Sequence, residues 1–424
     1  VIAGPRLWFN GLGPVPVDGT PSTEVSDILT GPFNNMGVPG AKSFHLVAPG
    51  YGNLAGVPLG LANPYFARMA SSPNITVLED AATQNASFFI ISEIAGNDVL
   101  GYATSGGTGV DQTGNFDPST YGSNDITDPN VFANVLNKVV ETMTANGAKG
   151  VVGNIPAVTS LPYFTTVPWD PWNPSNIGNE IPALNAFYAQ LNGAFAFLQV
   201  PERSIIFSET ESSGVVIIDD SLANISLQLT AVLIGGGLDV PTATLLGNQF
   251  GQSRQATADD LLVLTSRGLL DPDPLNQEYA AFLISQGVPP GDAGLLALNG
   301  ITYPLADKWV LTTDETASIK TATDAYNASI EAVVAQKGLG FVDAEGLLEQ
   351  LSNGGVASDG FIITGDYVTG GAFSLDGVHL NARGYAFLAN EFLKSIDETY
   401  GSNFEDAGAL VDIGDYPPLY GPIL

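Results

Sequence analysis

The strongest constraint on what this chain can fold into is a strand, a helix and a second strand in direct succession. Ser87-Phe88-Phe89-Ile90-Ile91-Ser92-Glu93-Ile94 is a short aromatic and β-branched run that predicts a buried strand running into a loop. From Asp128 to Asn146, the residues Val131, Phe132, Val135, Leu136, Val139, Val140 and Met143 recur at helical spacing. Thr127-Asp128-Pro129 opens that segment and Asn146-Gly147 closes it. Gly150-Val151-Val152-Gly153-Asn154-Ile155-Pro156 then predicts the second strand. Strand, helix and strand at this spacing form a βαβ unit, so the expected class is α/β with a parallel sheet covered by helices. A long helix over Thr313 to Lys337, a strand over Leu339 to Asp343 and a last helix from Asn381 to about Tyr400 extend the scheme.

Between Ala157 and Asp307 the pattern changes. The loop Val167-Pro168-Trp169-Asp170-Pro171-Trp172 leads to a helix around Ile181 to Leu198 and to β-like runs at Ser204 to Phe207 and Gly214 to Ile218. Apolar helical pieces follow between Ala223 and Gly300. This stretch reads as a mainly helical insertion, a cap over one end of the sheet domain. The expected division is 31–156 with 308–400 for the α/β domain, 157–307 for the insertion, and irregular termini at 1–30 and 401–424.

With 424 residues, 45% of them apolar, the chain can bury a large core. Its net charge of −31 argues against nucleic acid or an anionic membrane as a partner. An acidic, Gly-rich, Lys-poor chain without cysteine suits an exported bacterial protein of the outer-membrane surface, the periplasm or the extracellular space, or one from a salty habitat. No apolar run approaches the roughly 18 residues of a membrane helix. Val1-Ile2-Ala3-Gly4-Pro5 carries neither an initiator methionine nor a signal peptide, so the N-terminus is expected to be processed, truncated or incompletely represented.

Only two histidines are present. His379 stands three residues after Asp376 in the loop Phe373-Ser374-Leu375-Asp376-Gly377-Val378-His379-Leu380-Asn381. A loop can aim both side chains into one cleft as a general base and its orienting carboxylate. His45, flanked by Phe44 and Leu46, reads as a satisfied structural histidine. With two histidines and no cysteine, any metal site has to be oxygen-based. The loop-like stretch from Gly107 to Pro129 gathers Asp111, Asn115, Asp117, Asn124, Asp125 and Asp128. These are possible ligands for a structural calcium, although the spacing is not that of an EF-hand and solvated Asx-turns explain it more simply. No other cofactor is expected.

Three separated motifs fall in a fixed order: Asn35-Met36-Gly37-Val38-Pro39-Gly40-Ala41-Lys42-Ser43, then Ala95-Gly96-Asn97-Asp98 after the first strand, then Asp376-Gly377-Val378-His379. This set resembles the SGNH (GDSL-type) hydrolase family, and more narrowly its large exported members from Bacteroidetes. The resemblance covers about Gly31 to Tyr400, including Leu380-Asn381-Ala382-Arg383-Gly384-Tyr385 at the start of the last helix. It implies a flavodoxin-like α/β/α sandwich with esterase or lipase activity. In that family, Gly40 matches the glycine whose backbone N–H faces the oxyanion, and Asn97 matches the asparagine side-chain donor. Asp376 and His379 match the acid and base that activate a serine.

One departure follows from the same resemblance. The family's first block, a strand leading to the nucleophilic serine, precedes the second block, and nothing between Val1 and Asn34 fits it. Ser22 and Ser26 have no strand before them, and Gly251-Gln252-Ser253 lies in the wrong chain order. The serine is therefore expected upstream of Val1, on an N-terminal fragment completing the sheet, in line with the missing start methionine and export signal. Another chain supplying the strand and an altered topology are the alternatives. The implied substrate is a small-molecule or glycan ester, with Trp169, Trp172 and Phe164 as candidate lining residues. A non-catalytic SGNH-like surface binding protein, or a subunit of an envelope complex with a protein partner, is the alternative. Glu93 and Ala95 depart from the residues usual at their places and lean toward it.

Overall fold

The computed structural model describes residues 6–20, 23–271 and 273–421. Ser22 lies outside them. Two compact units are formed. Among the described residues, the first runs to Tyr102, resumes over Gly109–Pro162 and again from Ser318, while the second comprises Ala103–Thr108 and Tyr163–Ala317.

The first unit is built on three parallel strands, β1 (Phe88–Ile91), β2 (Lys149–Gly153) and β3 (Gly340–Val342), in the spatial order β1-β2-β3. Ile90 stands opposite Val151, and Val152 opposite Phe341. The helices used below are α1 (Gly96–Thr104), α2 (Pro129–Thr144), α3 (Thr313–Lys337), α4 (Ala344–Ser352) and α5 (Ala382–Tyr400). Asp128 caps α2 by accepting from the N–H groups of Asn130 and Val131, with Pro129 at the first helical position. The residues read at helical spacing, Val131 to Val140, form its buried face. Val151, Val342 and Phe392 make a small core with Leu347 of α4 and Leu388 and Ile396 of α5 packed against it.

The first strand covers Phe88–Ile91 and runs into a loop as expected, but only Phe89 of it is buried and Ile90 is exposed; α3 spans the expected residues. The N-terminal stretch holds a short antiparallel hairpin, Leu7–Phe9 with Pro14–Pro16. Ser204 to Phe207 is not a strand. Its backbone is tied to side chains instead, since Asn192 bonds Ile205 and Asn185 bonds Phe207 through both donor and acceptor.

In the second unit, the helices Ile181–Phe197, Ser226–Gly235 and Val240–Phe250 surround a core centred on Tyr188, Phe195, Phe207 and Phe250. Trp172 and Phe164 are buried and Trp169 packs against this same core, so these aromatics serve packing. The Trp172 indole N–H donates to the carbonyl of Gly300 (2.9 Å). Ser253 is fully buried in the strand Ser253–Gln255, its hydroxyl donating to the Phe250 carbonyl.

Where the parallel strands end, backbone groups need partners the ladder no longer supplies. Asn327 of α3, 4% exposed, answers both of those on Ile155: its Oδ1 accepts from the N–H (2.8 Å) and its Nδ2 donates to the carbonyl (2.9 Å). Replacing Asn327 with alanine leaves two buried backbone groups unpaired, each costing about 1–3 kcal/mol. Asn327→Ala is therefore expected to lower unfolding stability by about 2–4 kcal/mol, read as a lower urea midpoint at unchanged m value. An unshifted midpoint would show that water takes over these bonds.

Candidate active site

The Asp376–His379 loop is held by its own backbone and by the cap of α5. Ser374 N–H donates to the His379 carbonyl (2.8 Å), and Gly377 N–H donates to the Ser374 carbonyl (3.0 Å). Gly377 has φ +74°, a conformation glycine adopts without strain. Asn381 is the N-cap of α5, accepting from Gly384 N–H, while its Nδ2 donates to the carbonyls of Gly371 and Phe373 at 3.0 Å each. One side chain thus fixes both the entry to the loop and the start of the helix that follows.

Within the loop, Asp376 Oδ2 faces His379 Nδ1 at 2.7 Å. Asp376 Oδ1 accepts from the N–H groups of Val378 and His379, both at 2.9 Å, and from the Ser374 hydroxyl at 2.7 Å. Burial opposes the charge on Asp376, but the bonds from His379, Val378 and Ser374 outweigh it and hold the carboxyl well below the usual carboxylate range. An ionised carboxylate can only accept, so Nδ1 carries a proton, and in the neutral imidazole the lone pair is left on Nε2. The hydrogen bond to Asp376 raises the His379 pKa above 6.5, against burial, and the charges of Asp376 and Glu93 raise it further.

His379 lines an apolar cavity of about 160 Å³ within the first unit. All three strands lead into it: Ser92 and Glu93 follow β1, Asn154 to Pro156 follow β2, and Ala344 follows β3. The carboxyl edge of a parallel sheet is the usual place for a ligand site. Its apolar lining includes Leu100, Leu348, Leu351, Phe373 and Phe387, and Asn97 adds a polar group.

Asn97 Nδ2 donates to the Ala41 carbonyl (3.0 Å), which ties the start of α1 to the turn that carries Gly40. Beside it, the fully buried Asp98 accepts from Ser43 through the backbone N–H and the hydroxyl, both at 2.8 Å. Burial pushes the Asp98 carboxyl up to about 6 despite these bonds. Ala41 N–H bonds the Val38 carbonyl (3.1 Å) and Gly40 has φ +75°, so Pro39-Gly40 forms the corner of a type II turn. A β-carbon on Gly40 would meet nothing within 4 Å, and the residue is not part of the cavity wall. The structure therefore brings Asp376, His379 and Asn97 to one site and attaches Gly40 to it through Ala41.

His45 is elsewhere. Its Nδ1 accepts from Lys42 N–H (3.0 Å) and its ring stacks on Tyr51 with centroids 4.4 Å apart. Burial, and then the charge of Lys42, push its pKa down to about 4. The acidic loop is also accounted for: Asp117 and Asp128 cap helical turns, Asp111 bonds Thr113, and Asp125 bonds Val110, Gln112 and Gly122.

Ser374, Ser92 and Asn154 were not singled out from the sequence. A serine two residues before an aspartate, as in an Asx- or ST-turn, was the available signal for Ser374. No family model matches the chain, and no curated protein or solved structure matches it at a significant level.

The two imidazoles should titrate far apart, His45 at about 4 and His379 above 6.5. The His379–Asp376 pair adds stability that is complete below the ordinary histidine pKa and fades as pH rises through the folded value. Asp376's own contribution is present above the ordinary carboxylate pKa and fades as pH falls. In an NMR titration of the ring protons, Asp376→Asn should move the higher transition down and leave the lower one in place. An unmoved higher transition would exclude the contact in solution.

Proposed function

We propose that this chain is the base-bearing and acyl-binding part of a carboxylic ester hydrolase of the SGNH type, an esterase, lipase or glycan deacetylase on a flavodoxin-like α/β/α sandwich. The observation that carries the reading is the Asp376–His379 contact at Nδ1, on a residue of the cavity wall. Side chains 46% and 60% exposed make a weak ion pair, worth at most about 1 kcal/mol. Four hydrogen bonds converging on such an exposed carboxylate are more than stability requires, and orienting a base is a use for them.

In this reading a serine hydroxyl attacks the ester carbonyl while His379 Nε2 takes its proton. Asp376 stabilises the imidazolium, which then protonates the departing alkoxide. Water repeats the sequence on the acyl-enzyme, releasing the acid and restoring the serine. Asn97 has a second amide N–H besides the one given to Ala41, and Gly40 offers its backbone N–H. Asn97, on the cavity wall, is suited to the oxyanion, where one donor is worth about 10²–10³ in rate; Gly40 lies outside that wall and would serve only with its turn moved toward it. The apolar lining suits an acyl group, and a small-molecule or glycan ester is the substrate class.

The nucleophile is proposed to lie upstream of Val1, on a strand pairing with the edge of β1. There Ile90 is 54% exposed, unusual for a parallel strand, whose faces are normally covered. An exported location, at the bacterial outer-membrane surface, in the periplasm or outside the cell, belongs to the same proposal. A second reading, a non-catalytic binding protein or envelope subunit, is favoured by two observations. Among the described residues no hydroxyl is bonded to the His379 imidazole, and Glu93 contributes a negative charge close to it.

Treating the native protein with a fluorophosphonate and mapping the modified peptide separates these readings. The expected result is one labelled serine on the added strand, with p-nitrophenyl acetate hydrolysis rising as pH passes a value above 6.5. His379→Ala should cut that rate by roughly 10²–10⁴ at unchanged circular dichroism. A label on Ser92 would relocate the nucleophile. No label and no hydrolysis would leave the binding protein.

A further inference from the structure

Three carboxylates of the second unit converge from distant points of the sequence. Asp220 follows the strand Val216–Ile218, Asp307 opens the helical turn Asp307–Trp309, and Glu315 lies in the first turn of α3. One carboxylate oxygen from each lies within 4.8 Å of the others. Glu315 is only 8% exposed, and its Oε2 accepts from the N–H (2.7 Å) and hydroxyl (2.9 Å) of Thr312.

That capping arrangement accounts for Glu315, and the Asp220 backbone N–H bonds the Asp307 carboxylate, but one Asp307 oxygen is left over. Asp307 Oδ1 has under 1 Å² of accessible surface and no hydrogen-bond partner, an expensive state for a carboxylate oxygen. The cations near in sequence are committed elsewhere. Arg254 is paired with Asp219 and Asp260, and the Lys308 ammonium lies 4.8 Å from the centroid of the Trp309 ring. Burial, and then the charge of Asp220, push Asp307 up to about 6. Glu315 rises to about 7, chiefly through burial, with Asp307 and Asp220 adding to it.

The backbone makes room for this gathering. Gly107 has φ +72°, and a β-carbon there would stand 1.8 Å from Glu315 Oε1. A β-carbon on Gly106 would stand 2.7 Å from the Asp307 carbonyl oxygen. Two glycines in succession thus let the chain pass close against the Asp307–Lys308 backbone and the Glu315 carboxylate.

We infer that Asp220, Asp307 and Glu315 form a divalent-cation site of calcium character. Three carboxylates are hard oxygen donors, and a cation satisfies Asp307 Oδ1 while cancelling the mutual repulsion. Calcium suits the set better than magnesium, because it accepts irregular carboxylate geometry and sheds its water more readily. The site is independent of the acidic loop from Asp111 to Asp128, whose carboxylates already serve turns and caps.

The test is calorimetric titration of the chelator-treated, dialysed protein with calcium chloride and with magnesium chloride, alongside thermal unfolding. The expected result is saturable calcium binding, a higher melting temperature with calcium and a weaker response to magnesium. Asp307→Asn should weaken calcium binding at least tenfold. Asp220→Asn, at an exposed position that leaves packing untouched, should weaken it measurably, while Asp117→Asn in the acidic loop should change nothing. Absence of calcium binding, binding unchanged from the parent protein in both cluster variants, a stronger response to magnesium, or loss of binding in Asp117→Asn would each overturn the assignment.

Discussion

Everything at the candidate site depends on how the backbone is satisfied where the parallel strands stop. A ladder that ends leaves N–H and carbonyl groups pointing at a space that must also admit a ligand. Asparagine amides answer them. Asn327 takes both groups of Ile155, and Asn154 joins Asp343 to the N–H of Glu345 at the start of α4. Asn381 holds Gly371, Phe373 and Gly384 together, and Asn97 holds Ala41. An amide both donates and accepts, so it can replace a broken ladder without burying a charge. The loops beyond the strands are therefore fixed, and the cavity wall stays largely apolar.

Charge is placed with the same economy. With a net charge of −31, many carboxylates serve caps, turns and the surface, while His379 is left among negative neighbours. Asp376 and Glu93 both favour protonated His379, so the imidazole loses its proton only on the alkaline side of its ordinary range. His45 shows the opposite case in the same chain. Its burial beside Lys42 keeps it neutral and makes it a packing element stacked on Tyr51. One residue type thus has two roles, divided by exposure and by the sign of the nearest charge.

Local patterns were legible and distant convergence was not. The face of α2 could be read because helical spacing is a local property, and the whole span of α3 followed from the same rule. The Asp376–His379 contact was legible because three residues and a glycine suffice to build it. Ser204 to Phe207 misled because its extended backbone is bonded to Asn185 and Asn192, which no periodicity reports. Trp169 and Trp172 carry no mark that separates a core residue from a binding platform. The acidic loop attracted attention because its carboxylates are adjacent in sequence, yet Asp220, Asp307 and Glu315 meet only through the fold. Density of acidic residues along a chain says little about density in space.

The sheet edge bears on the proposed chemistry in a way that neither the base nor the cavity does. Within the described residues β1 pairs only with β2, so one row of its backbone groups faces away from the ladder. Natural sheets protect such an edge with charge, proline, a bulge or a covering element. Phe88-Phe89-Ile90-Ile91 has none of the first three, and Ile90 is exposed. An added parallel strand would satisfy that row and end beside Ser92 and Asn97, on the edge where the cavity and His379 already lie. The same hydrogen bonds that complete the sheet would then carry a nucleophile to the base. A non-catalytic relative that keeps the fold would need the same strand to cover this edge, so the two readings differ in whether that strand carries a serine and not in whether it is present.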